Sequence, residues 1–224
     1  MKYIYFLFIT VLFLSGCATT HSNKVVSFDN KEKKFVDAPA PEKPDLSPEL
    51  ENVNEKDMQD YAQHNGVIFA KTQFEGLLKT SYVQLKIVDT EHPDRSYLLH
   101  IGEKAAEHKF PWAVKSVSPG YFYIELPEGE YRISSISIPV GSTTAMEKAD
   151  ITFHVTPNAI TYLGTLKMVG TKEKIKLGGE LPLIKPGFEY TVAVLDQTEE
   201  AKTTFHERFP NVSSAITPQL MEIH

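Results

Sequence analysis

Cys17 is the only cysteine in the 224-residue chain, and a lone thiol narrows the chemistry open to it. It can carry a covalent modification, but it has no partner for a disulfide and no second thiolate for a zinc cluster. Eight histidines stand at positions 21, 64, 92, 100, 108, 154, 206 and 224. No two have the close spacing that sets a pair of imidazoles on one helix face toward a metal. They read as scattered surface residues, and no metal ligand is assigned. Gly178-Gly179 lacks the lysine and hydroxyl residue of a phosphate loop, and a Gly-x-Ser-x-Gly nucleophile elbow is absent. Ser134, Ser135, Ser137 and Ser142 fall in an expected strand and its turn. No catalytic residue is therefore assigned, and the chain is read as a non-enzyme. The binding candidates are aromatic. Tyr121 and Tyr123 alternate with Phe122 and Ile124, which puts the tyrosines on the opposite strand face, where they either form an exposed platform for a glycan or peptide or cover a partly packed sheet. Trp112, in Phe110-Pro111-Trp112, is either a stacking residue or a core anchor.

Cys17 gains its meaning from what precedes it. Met1-Lys2 supplies a positive charge, and Tyr3–Leu14 is an apolar run broken only by Thr10. That run is too short for a span, which needs roughly 20 apolar residues, and it has the form of a signal-peptide core. Leu14-Ser15-Gly16-Cys17 resembles the box of bacterial lipoproteins at every position. The resemblance implies cleavage between Gly16 and Cys17, a diacylglyceryl thioether on the Cys17 sulfur and an acyl group on the new amine. No other cofactor is expected. Two or more acyl chains make a stable anchor, each buried methylene contributing about 0.8 kcal/mol. Ala18 stands where an aspartate would favour inner-membrane retention in such lipoproteins, so the expected location is the periplasmic face of the outer membrane.

Composition agrees with an exported globular domain. Hydrophobic residues make up 42% of the chain and the formal net charge is −6, which suits one core and is a poor match for nucleic acid. After a signal peptide at 1–16, residues 17–63 are polar and proline-punctuated, with Pro39, Pro41, Pro44 and Pro48. They read as a flexible tether. Within it, Ser47-Pro48-Glu49 has the form of a helix start, and Leu50, Val53, Met58 and Tyr61 suggest a short helix over 48–62.

Residues 64–196 alternate apolar and polar side chains, the mark of half-buried strands. Val83, Leu85 and Ile87 form one stripe, and Ile151, Phe153 and Val155 another. Further strands are expected at 67–71, 97–101, 112–117, 160–169 and 174–177, with another at 190–195 after a Pro186-Gly187 turn. Phe122, Ile124 and Leu126 lead through Pro127-Glu128-Gly129 to Tyr131 and Ile133, which reads as a hairpin. The apolar phase then changes to Ile136 and Ile138, so a bulge is required at Ser134-Ser135. Eight to ten short strands without intervening helices predict a mainly β fold, an antiparallel β-sandwich in which parallel units are not expected. Its core is assigned to Phe69, Val83, Leu85, Ile87, Ile124, Leu126, Ile133, Ile136, Phe153, Val155, Tyr162 and Val192. Residues 197–224 form a C-terminal helix and tail. Asp196-Gln197-Thr198-Glu199 has capping-box spacing, and Ala201, Phe205 and Phe209 would either dock on the sandwich edge or enter a partner's groove.

The run Gly120–Ile133, with Leu126-Pro127-Glu128-Gly129-Glu130-Tyr131 at its centre, resembles the hairpin of transthyretin-like, or carboxypeptidase-regulatory-like, sandwiches. Val155–Leu166 resembles a strand pair of uncharacterised bacterial lipoproteins of that shape. The resemblance implies fold and leaves the ligand open. The leading functional expectation is a lipid-anchored envelope protein acting as a binding or structural module, with the membrane, an envelope protein or a glycan as partner. A carbohydrate- or peptidoglycan-binding lipoprotein and an envelope hydrolase without a recognisable motif are the alternatives.

Overall fold

The structure, a computed structural model, describes residues 45–59, 64–80, 82–102, 115–140, 143–178 and 183–224, together with two short strands at 26–29 and 34–37. The leader, Gly16, Cys17 and Trp112 lie outside the described residues. The chain divides into two units, Met1–Glu42 and Lys43–His224. In the first, β1 (Val26–Asp29) pairs antiparallel with β2 (Lys34–Asp37), Phe28 opposite Phe35.

The second unit is a two-sheet β fold with a C-terminal helix. Its elements are α1 (Glu55–Gln59), β3 (Asn65–Gly76), β4 (Val83–Asp89), β5 (Ser96–Ile101), β6 (Tyr121–Pro127), β7 (Gly129–Val140), β8 (Thr143–Val155), β9 (Ile160–Gly178), β10 (Leu183–Leu195), α2 (Thr198–Arg208), β11 (Ile216–Pro218) and β12 (Glu222–Ile223). One sheet has the order β10-β9-β3-β6, with β11 also on β9; the other runs β12-β8-β7-β4-β5. Between them lies a core in which Ile68, Ile124, Leu126 and Leu166 of the first sheet meet Leu85, Ile87, Ile133, Ile136, Phe153 and Val155 of the second. Val192 is only half-buried at its margin. A second cluster covers the outer face of the first sheet, where Val67, Phe69, Tyr123, Ile160 and Tyr162 pack against Ala201, Phe205 and Phe209. Thus β3 is buried on both faces, which explains its unbroken apolar run Val67-Ile68-Phe69-Ala70.

The expected hairpin through Glu128-Gly129 is corrected. β6 pairs with β3, whereas β7 pairs with β4 and β8 in the opposite sheet. The turn is a crossing between layers, and both apolar stripes still reach the core because each faces it from its own side. Gly129 takes φ +154 at the crossing, a conformation open chiefly to glycine. The Tyr131 hydroxyl donates to the Pro127 carbonyl at 2.9 Å, a tie from the new sheet back to the end of the old strand, like the tyrosine corner of other sandwiches. The required bulge is present: the β7–β8 register shifts between Ile133 and Ser135, and the β4–β7 register shifts between Lys86 and Ile87.

Four further expectations change. β3 and β9 run parallel, as do β11 and β9. A parallel pair needs a long crossover; from β3 to β9 it runs through β4, β5, β6, β7 and β8, and from β9 to β11 through β10 and α2. The strands expected at 160–169 and 174–177 are one strand, β9, and Pro186-Gly187 is no turn but lies inside β10, opposite Ile175 and Lys174. β10 is an edge strand, where proline is tolerated because one row of backbone groups stays out of the ladder. The helix expected over 48–62 is the shorter α1, capped by Asn54, whose Oδ1 accepts from the amides of Lys56 and Asp57 at 2.9 and 3.0 Å.

Residues 48–53 instead strap one side of the sandwich. Leu98 N donates to Pro48 O and Leu50 N to Leu98 O along β5; Val53 N then donates to Tyr123 O on β6. The C-terminal residues strap the other side, β11 on β9 and β12 on β8. Both segments supply backbone partners to strand edges that would otherwise be open. α2 docks on the face of the first sheet, not on its edge, and begins after Gln197 without a side-chain cap; Asp196 Oδ1 accepts from Thr198 N and Oγ1 at 3.0 and 2.6 Å.

Candidate functional site

A groove lies beside the bulge in β7 and β8. Ile133 pairs with Ile151 and Ser135 with Lys148, so Ala149 and Asp150 together oppose Ser134. Beside the bulge β8 lies against β10. The groove has a volume of about 460 Å³, with Ile151, Tyr190 and Val192 along its wall and Arg132, Lys148 and His224 among its polar residues. β12 borders it on one side: His224 N donates to Asp150 O at 2.9 Å, and His224 Nε2 lies 2.8 Å from Thr152 Oγ1. On the other, Tyr190 Oη donates to Lys148 O at 2.7 Å and Phe188 N to Glu147 Oε1 at 2.9 Å. Burial pushes the Tyr190 phenol up, and the Glu147 charge adds to this, so it stays a donor. Arg132 Nε meets Asp150 Oδ1 at 3.2 Å. Lys148 is exposed and has no ion-pair partner among the described residues. The site combines an apolar wall, a fixed phenol, the Arg132–Asp150 ion pair and the Lys148 ammonium.

The aromatic pair lies elsewhere. Tyr121 and Tyr123 do face away from the core on β6, but α2 covers them. Tyr123 is 1% exposed, its ring 5.5 Å from Phe69 and 5.0 Å from Phe209. Tyr121 is half-buried, with Lys71 Nζ 5.5 Å from its ring centre. Burial pushes both phenols up to about 12, with the Glu200 charge adding to the effect at Tyr121 and Arg208 opposing it at Tyr123. Of the two arrangements that alternation leaves open, the packed one is present, with Tyr123 inside an aromatic layer and Tyr121 at its half-buried margin. The reason is tertiary: alternation sets the strand face, and the helix arriving seventy-odd residues later decides whether that face is wet.

The histidines are not uniformly on the surface. His100 is 0% exposed; its Nε2 lies 3.1 Å from Gln84 Oε1 and its Nδ1 3.9 Å from Glu49 Oε1. Burial lowers its pKa, with the Glu49 carboxylate pulling the other way. His92 accompanies Arg95 beside the buried Asp89 carboxylate, and His154 pairs with Glu130. Among the described residues no group of three His, Cys, Asp or Glu side chains is placed to hold a metal, and no helix is long and apolar enough to cross a membrane.

Arg132, Lys148, Asp150, Tyr190 and His224 were not singled out by sequence, since they are spread over more than ninety positions. The one local signal was the phase change at Ser134-Ser135, which marks the bulge they surround. Comparison with protein-family models, curated proteins and solved structures gives no match.

Proposed function

We propose that this chain is a lipid-anchored, non-enzymatic envelope protein whose β-sandwich serves as a binding module at the periplasmic face of the outer membrane. The observation that carries the reading is Leu14-Ser15-Gly16-Cys17 directly after the apolar run Tyr3–Leu14. A thiol with no other cysteine in the chain is well suited to permanent acylation and poorly suited to a structural role. Between Cys17 and the folded unit the sequence is polar and carries Pro39, Pro41 and Pro44, a composition suited to a tether. A sandwich strapped on both sides, with one cation-rimmed groove, supports binding over scaffolding. Leu126-Pro127-Glu128-Gly129-Glu130-Tyr131 supports a relation to transthyretin-like sandwiches as part of the same reading.

Growth of cells expressing the full chain with a clickable fatty acid tests the anchor. Wild-type protein should carry the label, begin at Cys17 and fractionate with the outer membrane; Cys17→Ala should lose the label and keep its leader. Unlabelled wild-type protein, or a mature N-terminus before Cys17, would sink the reading.

A further inference from the structure

We propose that the groove between β8 and β10 is a ligand site for a small carboxylate carrying a short apolar body, with Lys148 as the principal carboxylate partner. The proposal names the ligand of the binding module proposed above and rests on that reading. Its first support is size. A volume of about 460 Å³ lies within the roughly 300–1,000 Å³ of small-molecule sites.

Its second support is charge. The chain as a whole is acidic, with a formal net charge of −6, yet Arg132 and Lys148 line this groove with Asp150 as the acid among the lining residues. Asp150 is already engaged by Arg132 at 3.2 Å, and the His224 ring is held by Thr152. Lys148 is left as the uncommitted cation. One uncommitted cation beside an apolar wall matches a monoanion with an apolar tail. A dianion such as phosphate would call for several converging donors, and the His224 amide, which could have been one, is spent on Asp150 O.

Its third support is that the site is closed along the strand direction. β12 occupies the β8 edge at Ile151 and Thr152. The Tyr190 hydroxyl occupies it at Lys148 O, and the Phe188 amide holds the Glu147 carboxylate beside it. A polymer strand extending along β8 would have to break these ties, whereas a small molecule leaves them intact. They also fix the Tyr190 ring in advance, so binding does not require it to be ordered.

Photo-crosslinking of the purified full-length protein in non-ionic detergent tests the assignment, using hexanoate that bears a diazirine on its chain and, as a neutral control, the corresponding amide. The carboxylate should label peptides containing residues 148–151 or 190–192 saturably, and the amide roughly tenfold less, the expected loss for one charge-assisted contact. Lys148→Gln, an exposed substitution, should lower carboxylate labelling to the level of the amide. Val192→Trp should abolish labelling by filling the groove, with unchanged urea unfolding as its folding control. Equal labelling by both probes, labelling confined to other peptides, or a Lys148→Gln protein that labels like wild type would overturn the proposal. Displacement of the probe by inorganic phosphate but not by unlabelled hexanoate would reassign the groove to phosphate and overturn it equally. The anchor is judged separately by fatty-acid incorporation, so a lipidated protein with an unlabelled groove refutes only this inference, and a labelled groove on an unlipidated protein refutes only the anchor.

Discussion

Tyr131→Phe and Tyr123→Phe each delete one oxygen from a buried ring, and their effects on stability should have opposite signs. The Tyr131 hydroxyl donates to Pro127 O at 2.9 Å and the ring stacks on Phe153 at 5.6 Å. Removing that oxygen loses a net hydrogen bond of about 0.5–1.5 kcal/mol and leaves the carbonyl without this donor, for a total near 1–2 kcal/mol. The Tyr123 hydroxyl is buried with no hydrogen-bond partner among the described residues. Its deletion abolishes the cost of desolvating a group that makes no bond, a gain of about 1 kcal/mol, while the contacts with Phe69 and Phe209 persist. The two variants should therefore differ by roughly 2–3 kcal/mol. With a urea slope of about 1–3 kcal/mol per molar, their unfolding midpoints should stand on the order of 1 M apart, on either side of wild type and with unchanged slopes. If Tyr123→Phe destabilises as much as Tyr131→Phe, the hydroxyl under α2 has a partner and the reasoning fails.

Acidification should weaken the fold first through His100. Burial holds its folded pKa below the ordinary value of 6.5, so in that window the unfolded chain binds the extra proton; stability is flat above about 6.5 and falls as pH drops toward the folded pKa. His100→Gln should remove this slope in urea midpoints measured at several pH values. It should leave the loss below the ordinary Asp range, where Asp89 and Asp45, both held low by hydrogen bonds and nearby cations, take up protons. Gly76→Ala should cost more than about 2 kcal/mol, because its φ is +60 and an added Cβ would sit 2.1 Å from Gly170 O. Gly120→Ala, at φ +111 with nothing within 4 Å, should meet only backbone strain of about 1–3 kcal/mol, so its urea midpoint should fall less than that of Gly76→Ala, which meets strain and clash together; equal falls would refute the clash. Phe205→Ala should cost about 3–5 kcal/mol and, by admitting water beneath α2, bring the Tyr123 phenol from about 12 back toward 10 in an ultraviolet titration.

How much was legible in the chain follows from what is local. Alternation identified the inward stripes Val83-Leu85-Ile87 and Ile151-Phe153-Val155, and the phase break at Ser134-Ser135 announced the bulge, because successive side chains of a strand must point to opposite faces. Tyr121 and Tyr123 were assigned to the correct face for the same reason. The Pro127-Glu128-Gly129 turn was misread because a hairpin and a crossing between sheets share turn residues and both put apolar side chains into the same core. Pro186-Gly187 was misread because turn chemistry and an edge-strand proline look alike until the edge is known.

The amino-acid sequence by itself determined the strand faces, the bulge at Ser134-Ser135 and the apolar stretch leading to Cys17, since each depends on neighbours within a few residues. Tertiary structure alone decided that β6 and β7 belong to different sheets, that α2 covers the tyrosines, that the two ends of the folded unit strap its sides, and that Arg132, Lys148, Tyr190 and His224 meet around one bulge. Those outcomes depend on which distant edges and faces close on one another. Burial and hydrogen-bond satisfaction select that closure over the whole fold, and no short window of residues contains it.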